Sequence, residues 1–431
     1  MINDTKLQLL LSRDKERGRL MERKSDLNRR QFLWGIGTLS SMALLGGVSS
    51  ALDTKLMSAR AKNVVVGAGW LPKGNTSYSL FKAVVEKATD FSWLANGKSV
   101  LVKLAVNAGS QYPFTSDPWA LDCLLKVMKE HGAGKIYVGD QSGARYVYWT
   151  AKGQERGSTK AFLQQTGLLP VIERNGAIPV CFEERGYDSY IKGIPAGENH
   201  WKEPIYITSF VNEVDNIVYL PRLSSHGLAD LTCGMKIGVG FLREDSRRAF
   251  HSGGSNFYPM YEEINEVPEI KSKLRLIVCS ARAVNTLMGP DAGYVVEPES
   301  APVFASENLL AHDLFGYAFL QYARENLTPK DATDPAIMKA LPPLPLPVKS
   351  LWDITPQRAT LNRAFLKYVW QLQPDQVPEL PVFQPGDIYK HPAIVNYIKL
   401  NQQQNLKFTV AEVNKNPDLK VKQYMRQKIK V

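Results

Sequence analysis

The stretch Ser99-Val100-Leu101-Val102-Lys103-Leu104-Ala105-Val106 is an apolar, β-rich run, and the residues after it decide the fold. A polar loop, Asn107-Ala108-Gly109-Ser110, follows it, and then Asp117-Pro118. Asp caps helices through its side-chain oxygen, and Pro is tolerated at the first helical position, where its missing N–H has no partner to lose. Leu121, Leu124, Leu125 and Met128 keep helical spacing beyond it, and Gly132 stops the pattern. A second apolar run occupies 136–139. Strand, helix and strand in that order form a βαβ unit, which implies a parallel sheet.

The same alternation continues along the chain. The pattern predicts a short helix at 162–165, strands at 178–182, 217–220 and 274–279, and a strand at 303–305 leading into a helix over 306–324. Ten prolines punctuate 342–392, which denies long helices and central strands there. Only 357–372 is free of proline long enough for a helix, and it carries Leu361, Phe365, Leu366 and Trp370. The expected architecture is α/β: a mostly parallel sheet with flanking helices, plus a Pro-rich C-terminal arm that wraps it. The expected segments are a signal and linker at 1–61, the α/β domain at 62–330, and the arm with a basic tail at 331–431.

Composition narrows the class. The chain has 431 residues, 44% hydrophobic and 22% charged, which excludes a disordered chain, a coiled coil and a polytopic membrane protein. Its net charge of +11 is carried by the two ends. Residues 1–61 hold 11 basic and 6 acidic side chains, 391–431 hold 8 and 2, and the segment between balances 34 against 34. A nucleic-acid-binding domain carries basic charge across its body, so no nucleic-acid partner is expected. The basic tail is expected to be a solvated, frayed end with at most a weak contact to a membrane surface.

The N-terminal charge has a specific pattern. Arg29-Arg30-Gln31-Phe32-Leu33 precedes an uncharged, weakly apolar run over 31–52, and resembles a twin-arginine signal peptide. That resemblance implies the twin-arginine export machinery as a partner, and a location in the periplasm or at the outer face of the membrane. Small-x-small sites end at Ala51 and Ala61, so cleavage at either, or retention as an anchor, stays open. The four cysteines, Cys123, Cys181, Cys233 and Cys279, form no C-x-x-C, so no iron–sulfur cluster is expected.

Ligands of parallel α/β sheets bind in the loops at the carboxyl ends of the strands. Three such loops are polar or glycine-rich: the one at Asn107; Gly139-Asp140-Gln141-Ser142-Gly143; and Pro221-Arg222-Leu223-Ser224-Ser225-His226-Gly227, continuing to Thr232-Cys233-Gly234-Met235-Lys236. His251 follows in a segment that also holds Arg247 and Arg248. Lys236 desolvated beside other cations becomes a nucleophile. His226 and His251 suit metal ligation or proton transfer. Arginines here suit a carboxylate or phosphate. The expected catalytic residues are Lys236, His226 and Asp140. Asn107, Arg222, Gly234 and His251 are the expected cofactor-binding residues, with His226 and His251 as metal ligands. Lys103 is expected to alternate outward from its strand, and His312-Asp313 to pack or cap.

These blocks, with Thr115-x-Asp117-Pro118, Met288-Gly289-Pro290 and Ala305-Ser306-Glu307, resemble in order the family catalogued as domain of unknown function 362. The spacing of His226, Lys236 and His251 also resembles the N-terminal domain of nickel-dependent lactate racemase, although Asp140 and Gln141 stand where that family has another histidine. The resemblance implies a divalent metal or a nickel-type organic cofactor. Two functions follow as expectations: an exported enzyme acting on a small anionic substrate, or a non-catalytic binding or maturation factor for an exported redox protein.

Overall fold

The structure, a computed structural model, describes residues 64–328 except 292, and 387–430 except 416 and 417. The twin-arginine segment and the helix expected at 357–372 lie outside the described residues.

An eight-stranded sheet forms the centre, in the order Phe408–Glu412, Val64–Pro72, Ser300–Ser306, Leu274–Ser280, Asn216–Leu220, Val100–Leu104, Ile136–Asp140 and Ile178–Cys181. Only Ser300–Ser306 runs against its neighbours; the other seven strands share one direction. The fold is therefore the expected α/β, mostly parallel sheet with flanking helices. Every residue of Val100–Leu104 and of Asn216–Leu220 is buried, as strands covered on both faces require.

Side chains alternate between the faces. Val100, Val102 and Leu104 point to the layer made by helices Tyr78–Ala88, Pro118–Glu130 and Leu168–Arg174, against Phe81, Leu121 and Leu124. Leu101, Ile217, Tyr219 and Ile277 point to the other layer, built around Phe241, Tyr261 and helix Leu309–Asn326. Lys103 shares the alternation of Leu101 and is 1% exposed. The expectation that it points outward is thus corrected: a strand covered on both faces has no outward side.

Helix Pro118–Glu130 starts as expected. Asp117 accepts from the Trp119 N–H at 3.0 Å, and its carboxylate also takes both Arg282 donors, at 2.7 and 2.9 Å. Gly132, at φ +80°, allows the turn that ends the helix. The sequence pattern did not foretell a second sheet of four strands, Asp230–Thr232, Ser224–His226, Val284–Met288 and Gly293–Val296. It follows directly on the carboxyl ends of Asn216–Leu220 and Leu274–Ser280.

The C-terminal residues are not a frayed tail. Helix Pro392–Leu400 packs on Phe257–Glu263, and strand Phe408–Glu412 pairs with Val64–Pro72. The Asn414 side chain extends that ladder, accepting from the Trp70 N–H at 2.8 Å and donating to its carbonyl at 2.9 Å. Helix Leu419–Ile429 buries Val421, Met425 and Ile429 against Leu309–Asn326 and turns Lys420, Arg426 and Lys430 to solvent. Among the described residues no helix is long and apolar enough to cross a membrane.

Candidate functional site

A cavity of about 70 Å³ lies where Val100–Leu104, Ile136–Asp140 and Asn216–Leu220 end. Lys103, Asn107, Asp140, Arg222, Lys236 and Arg247 are the residues of its wall that bear on its chemistry. Four bases thus face one carboxylate.

The floor is a buried ion pair. Lys103 Nζ donates to Asp140 Oδ1 at 2.5 Å and to the Leu104 carbonyl at 2.8 Å. Asp140 also accepts the N–H of Val106 at Oδ2 (2.7 Å) and of Gln141 at Oδ1 (2.8 Å). Burial holds the Lys103 ammonium below the usual lysine range, while Asp140 opposes that pull. Gly240 covers the pair closely: a Cβ there would fall 2.0 Å from Asp140 Oδ1 and 2.2 Å from Lys103 Nζ.

Arg247 ties the wall together. Its guanidinium donates to the carbonyls of Leu242 (3.0 Å), Gln141 (2.7 Å) and Ser142, so it holds the Asp140 loop instead of standing open to a ligand. Arg248 is exposed. Asn107 likewise links loops: its side chain donates to Asp291, and its carbonyl accepts the Gly143 N–H at 2.8 Å.

Arg222 and Lys236 are different. Arg222 is 3% exposed, yet among the described residues its Nε and Nη1 have no hydrogen-bond partner. Burial lowers it to about 10, so it remains charged at neutral pH. Lys236 is half-buried, and its ammonium has no hydrogen bond or ion pair among the described residues. Burial, and after it the Arg222 charge, lowers its pKa to about 7. Lys236 rides on the short helix Gly234–Ile237, whose first N–H groups, on Gly234 and Met235, are taken by Asp313 at 2.9 and 2.7 Å. Gly234 serves that anchoring: a Cβ would meet Asp313 Oδ1 at 2.7 Å. It does not line the cavity.

The structure does not bring the two expected histidines to the cavity wall. His226 Nδ1 accepts the N–H groups of Leu228 and Ala229, each at 3.1 Å, and so shapes its own turn. His251 Nδ1 donates to the Arg247 carbonyl at 2.7 Å, and its ring packs on Phe250 and Phe257. Burial lowers His251 to about 3, leaving it neutral. Of the residues expected from sequence, Asn107, Asp140, Arg222 and Lys236 line the cavity; His226, Gly234 and His251 do not.

The cavity is small beside ordinary ligand pockets, which hold roughly 300–1,000 Å³. Its wall does not suit a cation, with four bases and a carboxylate whose two oxygens are already bonded. Cys233, which also lines the cavity, belongs to a buried group with metal-ligand chemistry: Cys233, His312 and Asp313 place their ligand atoms within 4.8 Å of one another and could hold a metal ion. His312 Nδ1 lies 2.8 Å from Asp313 Oδ1 and 3.8 Å from Cys233 Sγ, and burial pushes the Cys233 thiol up. Sequence reasoning missed this group because the residues are 79 positions apart; its one sequence signal is the adjacent His312-Asp313.

Residues 100–318 match the family described as Domain of unknown function (DUF362), and the chain belongs to that family. Every residue named in the cavity wall lies within the matched span. Among solved structures, the lactate racemase apoprotein from Thermoanaerobacterium thermosaccharolyticum is similar over 62% of this chain and 58% of that one. The identity is 14% and the TM-score 0.38. The chain spans less than two thirds of that protein's length. No curated protein matches it.

Proposed function

We propose that the cavity binds a small carboxylate or phosphate-type anion and that Lys236 acts on the bound molecule as base or nucleophile, outside the cytoplasm. One observation carries the proposal: the Arg222 guanidinium is buried with two of its nitrogens unpartnered. A buried unpaired charge costs several kcal/mol, and an anion in the cavity supplies the missing acceptors. A guanidinium donates strongly to the oxygens of a carboxylate or phosphate. Lys236, lowered to about 7, is about half amine at neutral pH and so has a lone pair to offer. Lys103 and Asp140 remain bonded to each other and keep the floor fixed.

Calorimetric titration of the purified protein with acetate, lactate, sulfate and phosphate tests the binding. At least one should bind, and Arg222→Gln should weaken it about tenfold or more with an unchanged circular dichroism spectrum. Equal affinity in the variant would overturn the proposal. Export rests on Arg29-Arg30. Replacing both by lysine should leave the protein in the cytoplasm, and unaltered export of that variant would remove the twin-arginine reading.

A further inference from the structure

We infer that Lys236 captures 2-oxo acids of two or three carbons as an imine in this cavity, an inference that rests on the anion site proposed above. Three features of the wall select that chemistry. The first is an amine whose nitrogen is committed to no neighbour: Lys236 Nζ has no hydrogen bond or ion pair among the described residues, whereas Lys103 Nζ is bonded to Asp140 and to the Leu104 carbonyl. The second is a carboxylate anchor on the same wall. Arg222 is the guanidinium with unpartnered nitrogens, while Arg247 holds three backbone carbonyls. An incoming carboxylate therefore docks on Arg222 and presents the carbon next to it. The third is size. A cavity of about 70 Å³ is small beside ordinary ligand pockets of roughly 300–1,000 Å³, which suits a short acid such as glyoxylate or pyruvate.

The step balances without a further reactant. The Lys236 nitrogen lone pair attacks the carbonyl carbon, and the C–O π pair moves to oxygen. Two protons leave the nitrogen for that oxygen, which departs as water as the C=N bond forms. Hydrolysis reverses the sequence and releases the acid. The lowered basicity of Lys236 keeps part of it in the neutral form that attack requires. A simple acid such as acetate occupies the Arg222 end but offers no carbonyl carbon to the amine.

Reductive trapping reads the imine directly. The full chain is incubated near pH 7 with limiting glyoxylate or pyruvate and cyanoborohydride, then digested and analysed by mass spectrometry. The peptide carrying Lys236 should gain the mass of the acid less one oxygen. It should be labelled about tenfold or more faster than exposed Lys202, because an ordinary lysine is almost wholly protonated at that pH. Acetate or sulfate should slow the labelling, and Arg222→Gln should bring it down to the rate of Lys202. Labelling of Lys236 no faster than Lys202, or unchanged in Arg222→Gln, overturns the inference. Anion binding by calorimetry without selective labelling ends the imine and leaves the anion site standing. Absence of both ends both.

Discussion

Lys103 and Asp140 show how one side chain can be fixed by the loss of its alternatives. With Lys103 1% and Asp140 3% exposed, the two form a buried ion pair at 2.5 Å. Asp140→Ala should cost about 3–5 kcal/mol in urea unfolding, because it leaves a buried ammonium unpaired. The double variant with Lys103→Met should recover part of that loss. The pH dependence has two separate windows. His251 is lowered from 6.5 to about 3, so the unfolded chain takes up a proton before the folded one does. Its contribution to stability is complete above pH 6.5 and is lost as pH falls toward 3; His251→Gln should flatten that fall by on the order of 2 kcal/mol. Lys236 is lowered from 10.5 to about 7, so its cost is full below pH 7 and is relieved as pH rises to 10.5. Lys236→Met should remove that rise from the stability profile. Asn107, Asp140, Arg222 and Lys236 could be picked out in sequence because they follow strand ends. Lys103 could not, since alternation alone does not say whether a strand is covered on both faces. His226 and His251 stay off the cavity wall for a local reason: backbone groups within four residues bond to each ring, which composition does not reveal.

Short elements position the site, and they depend on contacts distant in sequence. The four-residue helix that carries Lys236 is held at its start by a carboxylate on helix Leu309–Asn326. Asp313→Ala should orphan two buried N–H groups, lower stability by about 2–4 kcal/mol and weaken anion binding, checked by urea unfolding and calorimetry. Gly240→Ala should cost about 3 kcal/mol or more, since its Cβ would intrude on both partners of the buried ion pair. The helix opened by Asp117-Pro118 was legible because cap, proline and apolar spacing agree. The small sheet was not: strands of three to five residues are too short to show a period, and they are specified by pairing with segments some sixty residues away, as Ser224 pairs with Asn285.

At the scale of the whole molecule, residues 387–430 are part of the body. They bury Ile388, Ile394, Tyr397, Phe408, Val421, Met425 and Ile429. Ending the chain before residue 387 should lower stability strongly: at about 1.5–3 kcal/mol per large apolar side chain, these residues contribute on the order of 10–20 kcal/mol before the chain entropy of ordering the segment is offset, read as a fall in the thermal midpoint. The basic composition of this segment suggested a solvated end, yet its last helix keeps an apolar residue every four positions and turns its cations outward. The parallel core was legible from its βαβ order; its far edge was not, because that edge joins strands from opposite ends of the sequence. This has a consequence for biosynthesis. Val64–Pro72 is the first strand of the sheet to leave the ribosome, but its neighbours are Ser300–Ser306 and Phe408–Glu412. At about 5–20 residues per second, its main-chain edges wait tens of seconds for partners. The nascent chain therefore carries a bare strand through most of its translation, and nascent chains stalled before residue 408 should be cut by protease near Val64–Pro72, whereas released chains should resist.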